Sequence, residues 1–200
     1  MIAVSKTQPA QKIRALYELG HRDFGENYVQ ELVEKAEELR ASCPELRWHF
    51  IGHLQSNKVK SLLPWVASVQ SVHSLSLAEE LSKRWTLLKG SHGKLPIFLE
   101  INVDGEPSKS GLSSSEAGKV AAQISGLPGL DLRGLMCIPS PEGAKSGSSF
   151  RALRELAKSC GNATRGDLSM GMSSDFELAL REGATHIRVG TLLFGARPSA

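Results

Sequence analysis

Ile2-Ala3-Val4-Ser5-Lys6-Thr7-Gln8-Pro9 opens the chain, and the way this stretch passes from strand to helix decides between two architectures. Ile2 to Ser5 is an apolar run that suits a buried strand. Pro9 stands where a helix begins, and Ile13, Leu16, Tyr17 and Leu19 follow at helical spacing until Gly20 stops them. A strand running straight into a helix is the building unit of a parallel sheet. In an open doubly wound sheet the first such turn usually carries a glycine-rich segment, and Lys6-Thr7-Gln8-Pro9 has no glycine. The stretch therefore favours a closed βα barrel.

The rest of the chain repeats the unit. Arg22–Asn27 reads as a strand ending in a polar turn, and Tyr28–Arg40 as an amphipathic helix. That helix has Val29, Leu32, Val33, Ala36 and Leu39 on one face and a run of Glu and Lys opposite. Leu46–Ile51 is a strand broken by Gly52, Gln55–Leu63 a short helix, Ala67–Val72 a strand and Leu75–Leu88 a helix. Leu95–Val103 is a strand of the doubly buried kind, followed by a polar loop, a helix over Ser113–Ser125 and a strand over Leu130–Ile138. Pro139–Gly147 reads as a loop, Phe150–Ser159 as helix and Asp167–Met170 as strand. Asp175–Arg181 is a short helix, Thr185–Val189 a strand, and Gly190–Phe194 a tight turn or extra helical turn. Eight strands separated by seven helices, with no second segment of different composition, predict a single-domain parallel barrel. The eighth helix of such a barrel would have to precede the first strand, so the expectation is a chain lacking that helix.

Composition removes other classes. With 40% hydrophobic and 22% charged residues the chain is an ordinary globular one, not a disordered one. A net charge of +3, with basic residues scattered among acidic ones, offers no footprint for nucleic acid. Cys43, Cys137 and Cys160 are widely spaced and show no metal-ligand pattern, which favours free thiols in a reducing compartment, the cytosol. No stretch approaches the length of a membrane span.

In a barrel the site lies at the carboxyl ends of the strands, with phosphate held by the loops after strands seven and eight. Ser169-Met170-Gly171-Met172-Ser173-Ser174 and Arg188-Val189-Gly190-Thr191 stand in those two places. Their glycines permit close backbone approach and their hydroxyls and amides suit an anion. Strand alternation puts His186 and Arg188 on one face and Ile187 and Val189 on the other. Arg188 therefore either points into the barrel or faces an outer helix, and a buried guanidinium needs an acceptor. Lys6, at the end of strand one, is a candidate for carbonyl chemistry, which lysine performs only as the unprotonated amine.

Seven segments carry a resemblance. They are Ala3-Val4-Ser5-Lys6-Thr7, Phe24-Gly25-Glu26-Asn27-Tyr28-Val29-Gln30-Glu31, Trp48-His49-Phe50-Ile51-Gly52-His53-Leu54-Gln55, Ser108-Lys109-Ser110-Gly111, Gly134-Leu135-Met136, Ser169-Met170-Gly171-Met172-Ser173 and Arg188-Val189-Gly190-Thr191. Together they resemble the pyridoxal phosphate homeostasis protein family, single-domain relatives of the alanine racemase barrel, and in the family's order they run from Ala3 to Arg197. The resemblance implies a TIM-type (β/α)8 barrel of the alanine racemase N-terminal type over residues 1–200, without the helix that family members carry before strand one. It implies pyridoxal 5′-phosphate as cofactor, with Lys6 forming the internal aldimine and Ser173, Gly190 and Thr191 holding the phosphate. Arg188 would face the pyridine nitrogen, Asn27 would lie beside the ring, and His49 would lie near the cofactor. The implied partners are the cofactor and the apo-enzymes that receive it, in a cytoplasmic monomer or weak homodimer, with no nucleic acid or membrane.

Two functions compete. A carrier that buffers and delivers the cofactor needs only the amine and the phosphate cradle. An amino-acid racemase needs an electron sink and two bases on opposite faces of the carbanion. Alanine racemases take the second base from another domain, for which a 200-residue barrel has no room, and Tyr17 and Tyr28 fall on outer-helix patterns, although Tyr28 is close enough to the Asn27 turn to stay a candidate. An inert scaffold would leave the two serine and glycine turns and Lys6 unexplained.

Overall fold

Residues 1–90 and 93–195 are described by the structure, a computed structural model; Arg197 lies outside them. The alternation inferred from the sequence is the alternation observed. Strand β1 (Ile2–Val4) leads to helix α1 (Ala10–Glu18), β2 (Asp23–Glu26) to α2 (Val29–Leu39), and β3 (Arg47–Phe50) to α3 (Val59–Leu62). β4 (Val66–Val72) then precedes α4 (Leu75–Lys89), whose first turn is capped by Ser74 Oγ accepting from the Leu77 amide at 3.2 Å. β5 (Leu95–Asn102) is followed by a two-residue strand β6 (Leu112–Ser113) and α5 (Ser114–Ser125), and β7 (Leu130–Met136) by α6 (Pro141–Ser146) and α7 (Ser148–Ser159). β8 (Asp167–Ser169), α8 (Phe176–Arg181), β9 (Arg188–Val189) and α9 (Thr191–Phe194) complete the described chain.

All pairings are parallel. The order is β8-β7-β5-β4-β3-β2-β1-β9, with β6 an appendage of β5. The ring is drawn shut between β9 and β8 by the Ser169–His186 bridge and by the Met170 amide donating to His186 O at 3.0 Å. This is a barrel of the TIM type, and it overrules the open-sheet alternative.

Strand alternation divides the side chains. Phe24, Trp48, Phe50, Leu99 and Leu135 join Leu32, Leu39 and Leu81 from the helices in one continuous core between barrel and helical shell. Each fully buried Leu or Phe there contributes about 1.5–3 kcal/mol relative to exposure. The barrel interior is different, because it is crossed by polar contacts. His49 Nδ1 lies 2.7 Å from Ser68 Oγ, and Ser169 Oγ donates to Gln70 Oε1 at 2.7 Å.

Two local expectations need correction. Pro139–Gly147, expected as a loop, contains α6: Pro141 occupies the first turn, Ser140 Oγ accepts from the Gly143 amide at 3.0 Å, and Gly147 ends the helix at φ 72°. The Glu and Lys run of α2 is not wholly a solvated face either. Lys35 is buried, with its ammonium turned under the end of β1.

Candidate functional site

The carboxyl ends of the strands surround a cavity of about 370 Å³. It is lined by Lys6, Asn27, Ser173, Arg188, Gly190 and Thr191, six of the seven residues expected at the site. Ile51, Ile138 and Met172 supply apolar wall.

Lys6 follows β1 in the inward phase shared with Val4, while Ser5 between them turns outward and its Oγ donates to Glu26 Oε1 at 2.7 Å. Asn27 follows β2 in the same inward phase. Gly52 packs directly beneath it, since a Cβ there would lie 2.1 Å from Asn27 O, so no other residue fits without moving the Asn27 turn. The Asn27 Oδ1 atom is buried with no hydrogen-bond partner among the described residues.

The two anion-type loops meet. Gly171 turns the chain after β8 at φ 91°, and its carbonyl accepts from the Arg188 amide at 2.9 Å. Beyond it, Ser173 Oγ accepts from the Gly190 amide at 3.2 Å, so the loops after the last two long-range strands are clasped through one hydroxyl. Thr191 begins the helical turn α9 with its side chain exposed.

Arg188 points into the barrel, settling the choice that alternation left open. Its Nη1 donates to Ser169 Oγ at 2.7 Å and its Nη2 to Cys137 O at 2.8 Å, so its acceptors are a hydroxyl and a carbonyl. Burial lowers its pKa, opposed by the nearby Cys137, Asp175 and Glu100. Burial likewise raises the Glu100 carboxyl, opposed by Arg188, and pushes the Cys137 thiol up to about 12. Cys137 is thus an inert thiol at neutral pH.

His49 is not brought to this cavity. It shares the inward phase of β3 with Ile51 but sits two residues earlier, one layer lower in the barrel. There it lies between Ser68 Oγ at 2.7 Å and Asp23 Oδ1 at 2.8 Å and lines a separate cavity of about 400 Å³ with Arg47 and His186. Burial opposes ionisation of Asp23, but its bonds to His49 and Arg47 outweigh it and bring the carboxyl down to about 2.

Sequence reading missed the shell beneath Lys6. Lys35 Nζ donates to Ser5 O at 2.7 Å, Glu26 Oε1 at 2.8 Å and Glu31 Oε1 at 2.6 Å. The available signal was Glu26 and Glu31 within one quoted segment, with Lys35 four residues after Glu31 and so on the same helical face.

Residues 2–198 match the family described as alanine racemase, N-terminal domain. The chain is similar to the Pseudomonas aeruginosa pyridoxal phosphate homeostasis protein, 46% identical over 199 residues, which span 98% of this chain and 84% of that one. Its human namesake is 41% identical over 217 residues, covering 98% and 76% of the two chains. Among solved structures, PipY of Synechococcus elongatus with PLP bound superposes with a TM-score of 0.87 at 40% identity, covering 97% of this chain and 91% of that one. An alanine racemase from Clostridium difficile shares the fold, with a TM-score of 0.75 at 16% identity over 99% of this chain and 52% of its own.

Proposed function

The chain belongs to the alanine racemase N-terminal domain family, together with the pyridoxal phosphate homeostasis proteins, and on that premise we propose that it binds pyridoxal 5′-phosphate and serves vitamin B6 homeostasis. The observation that carries this reading is the convergence of Lys6, Asn27, Ser173, Arg188, Gly190 and Thr191 on one cavity of about 370 Å³. The residues suit the cofactor: Asn27, whose buried Oδ1 has no hydrogen-bond partner among the described residues, lines the same cavity as a lysine, a guanidinium and two hydroxyl-bearing loops.

When bound, the cofactor supplies an aldehyde that condenses with an amine and a ring that withdraws electrons. Lys6 presents the amine from the end of β1. Ser173 and Thr191 offer hydroxyls and Gly190 an amide, the donors that a phosphate dianion requires. Arg188 is held in place by Ser169 and Cys137, and being always protonated it would donate a hydrogen bond to a ring nitrogen instead of transferring a proton. Ile51, Ile138 and Met172 form the apolar wall of the space around these groups.

The role proposed is uptake, protection and release of the cofactor without marked turnover. Tyr17 is engaged elsewhere, with its ring under the Arg22 guanidinium at 3.9 Å and its hydroxyl donating to Glu45 at 3.3 Å. Tyr28 is 60% exposed, and neither tyrosine lines the cavity, which supports a carrier over a two-base racemase. The cytosol and the apo-enzymes that receive the cofactor belong to the same proposal. Among the described residues no helix is long and apolar enough to cross a membrane.

The test is the visible spectrum of protein reconstituted with pyridoxal 5′-phosphate. A yellow band that survives gel filtration is expected, and a chain that stays colourless overturns the reading. Solvent deuterium exchange at the α-carbon of L-alanine, running at roughly 1–1000 per second and lost in Lys6→Ala, would replace the carrier by a racemase.

A further inference from the structure

Lys35 is an unexpected residue to bury. It sits on the face of α2 that carries Leu32, Ala36 and Leu39 into the core, and its ammonium is turned inward to meet Glu26, which is fully buried. A buried ion pair gives little net stability compared with apolar residues of the same volume, because both charges must be stripped of water. Glu26 shows the conflict: burial pushes its carboxyl up although Lys35 pulls it down, and its Oε2 has no partner among the described residues. The arrangement needs another purpose.

Its contacts indicate one, because they bracket a single residue. On the amino side of Lys6, Lys35 Nζ holds Ser5 O at 2.7 Å, while Glu26 Oε1 accepts from Ser5 Oγ at 2.7 Å. On the carboxyl side, Glu31 Oε1 accepts from the Thr7 amide at 2.6 Å and from Lys35 Nζ at 2.6 Å. Thr7 is the only non-glycine at positive φ among the described residues, at 62°. That conformation is strained for a β-branched side chain and persists only where the surroundings impose it. Here Glu31 holds the amide, and Thr7 Oγ1 donates to Lys6 O at 2.6 Å.

We infer that Lys35, Glu26 and Glu31 are positioning residues for Lys6, clamping the backbone on both sides of it so that its amine is presented at one fixed height in the cavity. This rests on the proposed cofactor reading. The step it serves is balanced without a redox partner: the amine nitrogen forms a double bond to the aldehyde carbon, and both amine protons leave with the carbonyl oxygen as one water. A clamp of this kind acts on the covalent step. The phosphate cradle of Ser173, Gly190 and Thr191 lies on other loops, so non-covalent capture is untouched.

The experiment separates those two stages. Stopped-flow absorbance over a range of pyridoxal 5′-phosphate concentrations gives a saturation constant for non-covalent capture and a limiting rate for linkage. The affinity of 4-deoxypyridoxine 5′-phosphate, which lacks the aldehyde, reports the cradle alone. In Glu31→Ala the limiting rate should fall about tenfold or more, since small misplacements of a reacting group are costly. The saturation constant and the analogue affinity should match the parent, although the unfolding midpoint falls because Lys35 and the Thr7 amide lose a partner. Glu31→Gln, which keeps an acceptor for the Thr7 amide, should recover most of the rate. Lys35→Met should behave like Glu31→Ala; Glu31 is only partly buried, so its variants carry the test if Lys35→Met does not fold. An unchanged limiting rate in Glu31→Ala overturns the inference, and so does a parallel loss of analogue affinity and rate, which marks general loosening. A parent protein that binds neither probe overturns the cofactor reading itself.

Discussion

Arg188 donates from Nη1 to Oγ of Ser169 on the neighbouring strand at 2.7 Å, and Ser169 in turn donates across the barrel interior to Gln70 Oε1 at 2.7 Å. Three strands, β9, β8 and β4, are thereby joined through their inward side chains. A buried guanidinium that lost this acceptor would keep its charge and find no water. Ser169→Ala is expected to destabilise the unloaded protein by roughly 1.5–3 kcal/mol, the scale for a hydrogen bond to a charged group. Denaturant titration measures it, and a midpoint equal to the parent's would show that Arg188 finds another acceptor.

Borohydride reduction of the loaded protein, followed by peptide mapping, should place the label on Lys6. Lys6→Ala should abolish it while the protein stays folded, because Lys6 is only half-buried at the cavity edge. A label found chiefly on Lys58, Lys60 or Lys109 would remove Lys6 from its role.

Ser173→Ala should weaken cofactor binding by roughly 1–3 kcal/mol, since its hydroxyl is one of few polar side-chain groups facing the proposed phosphate. Equilibrium dialysis against pyridoxal 5′-phosphate reads the change directly. Equal affinity in parent and variant would place the phosphate elsewhere.

Acid stability should carry the mark of Asp23. Its carboxyl is brought down from an ordinary 3.8 to about 2 in the folded chain, so the unfolded chain binds the proton first. The stabilisation is complete above pH 3.8 and is lost as pH falls toward 2. Asp23→Asn should therefore be less stable than the parent at neutral pH, and the gap should close as pH falls through about 2. A gap independent of pH would mean that Asp23 acts by packing and not by charge.

Most of the barrel was legible because its signals are local. Apolar runs, glycine stops and proline starts each fall within a few residues, and the β and α segments follow them closely. The helix α6 escaped although Ser140, Pro141 and Gly147 all marked it, because a short polar segment between two turn residues carries no apolar periodicity. The cavity residues were legible through motifs at strand ends. His49 lies outside this cavity for a related reason: a motif gives the strand and the face but not the height, and one layer separates His49 from Ile51. Lys35 was hidden more deeply, since a Lys among Glu residues on a helix has the same pattern whether its ammonium meets water or Glu26.

At the proposed phosphate site, the clasp between Ser173 and Gly190 sets a condition on what can bind there. The Gly190 amide is already spoken for at 3.2 Å, so an arriving anion competes with an internal occupant and does not fill a vacancy. A lone chloride would trade one contact for another and gain almost nothing. A phosphate ester brings three terminal oxygens, so it can take the amide and still engage the Ser173 and Thr191 hydroxyls. On the proposed cofactor reading, discrimination against small anions would rest on a single hydrogen bond that the protein makes with itself.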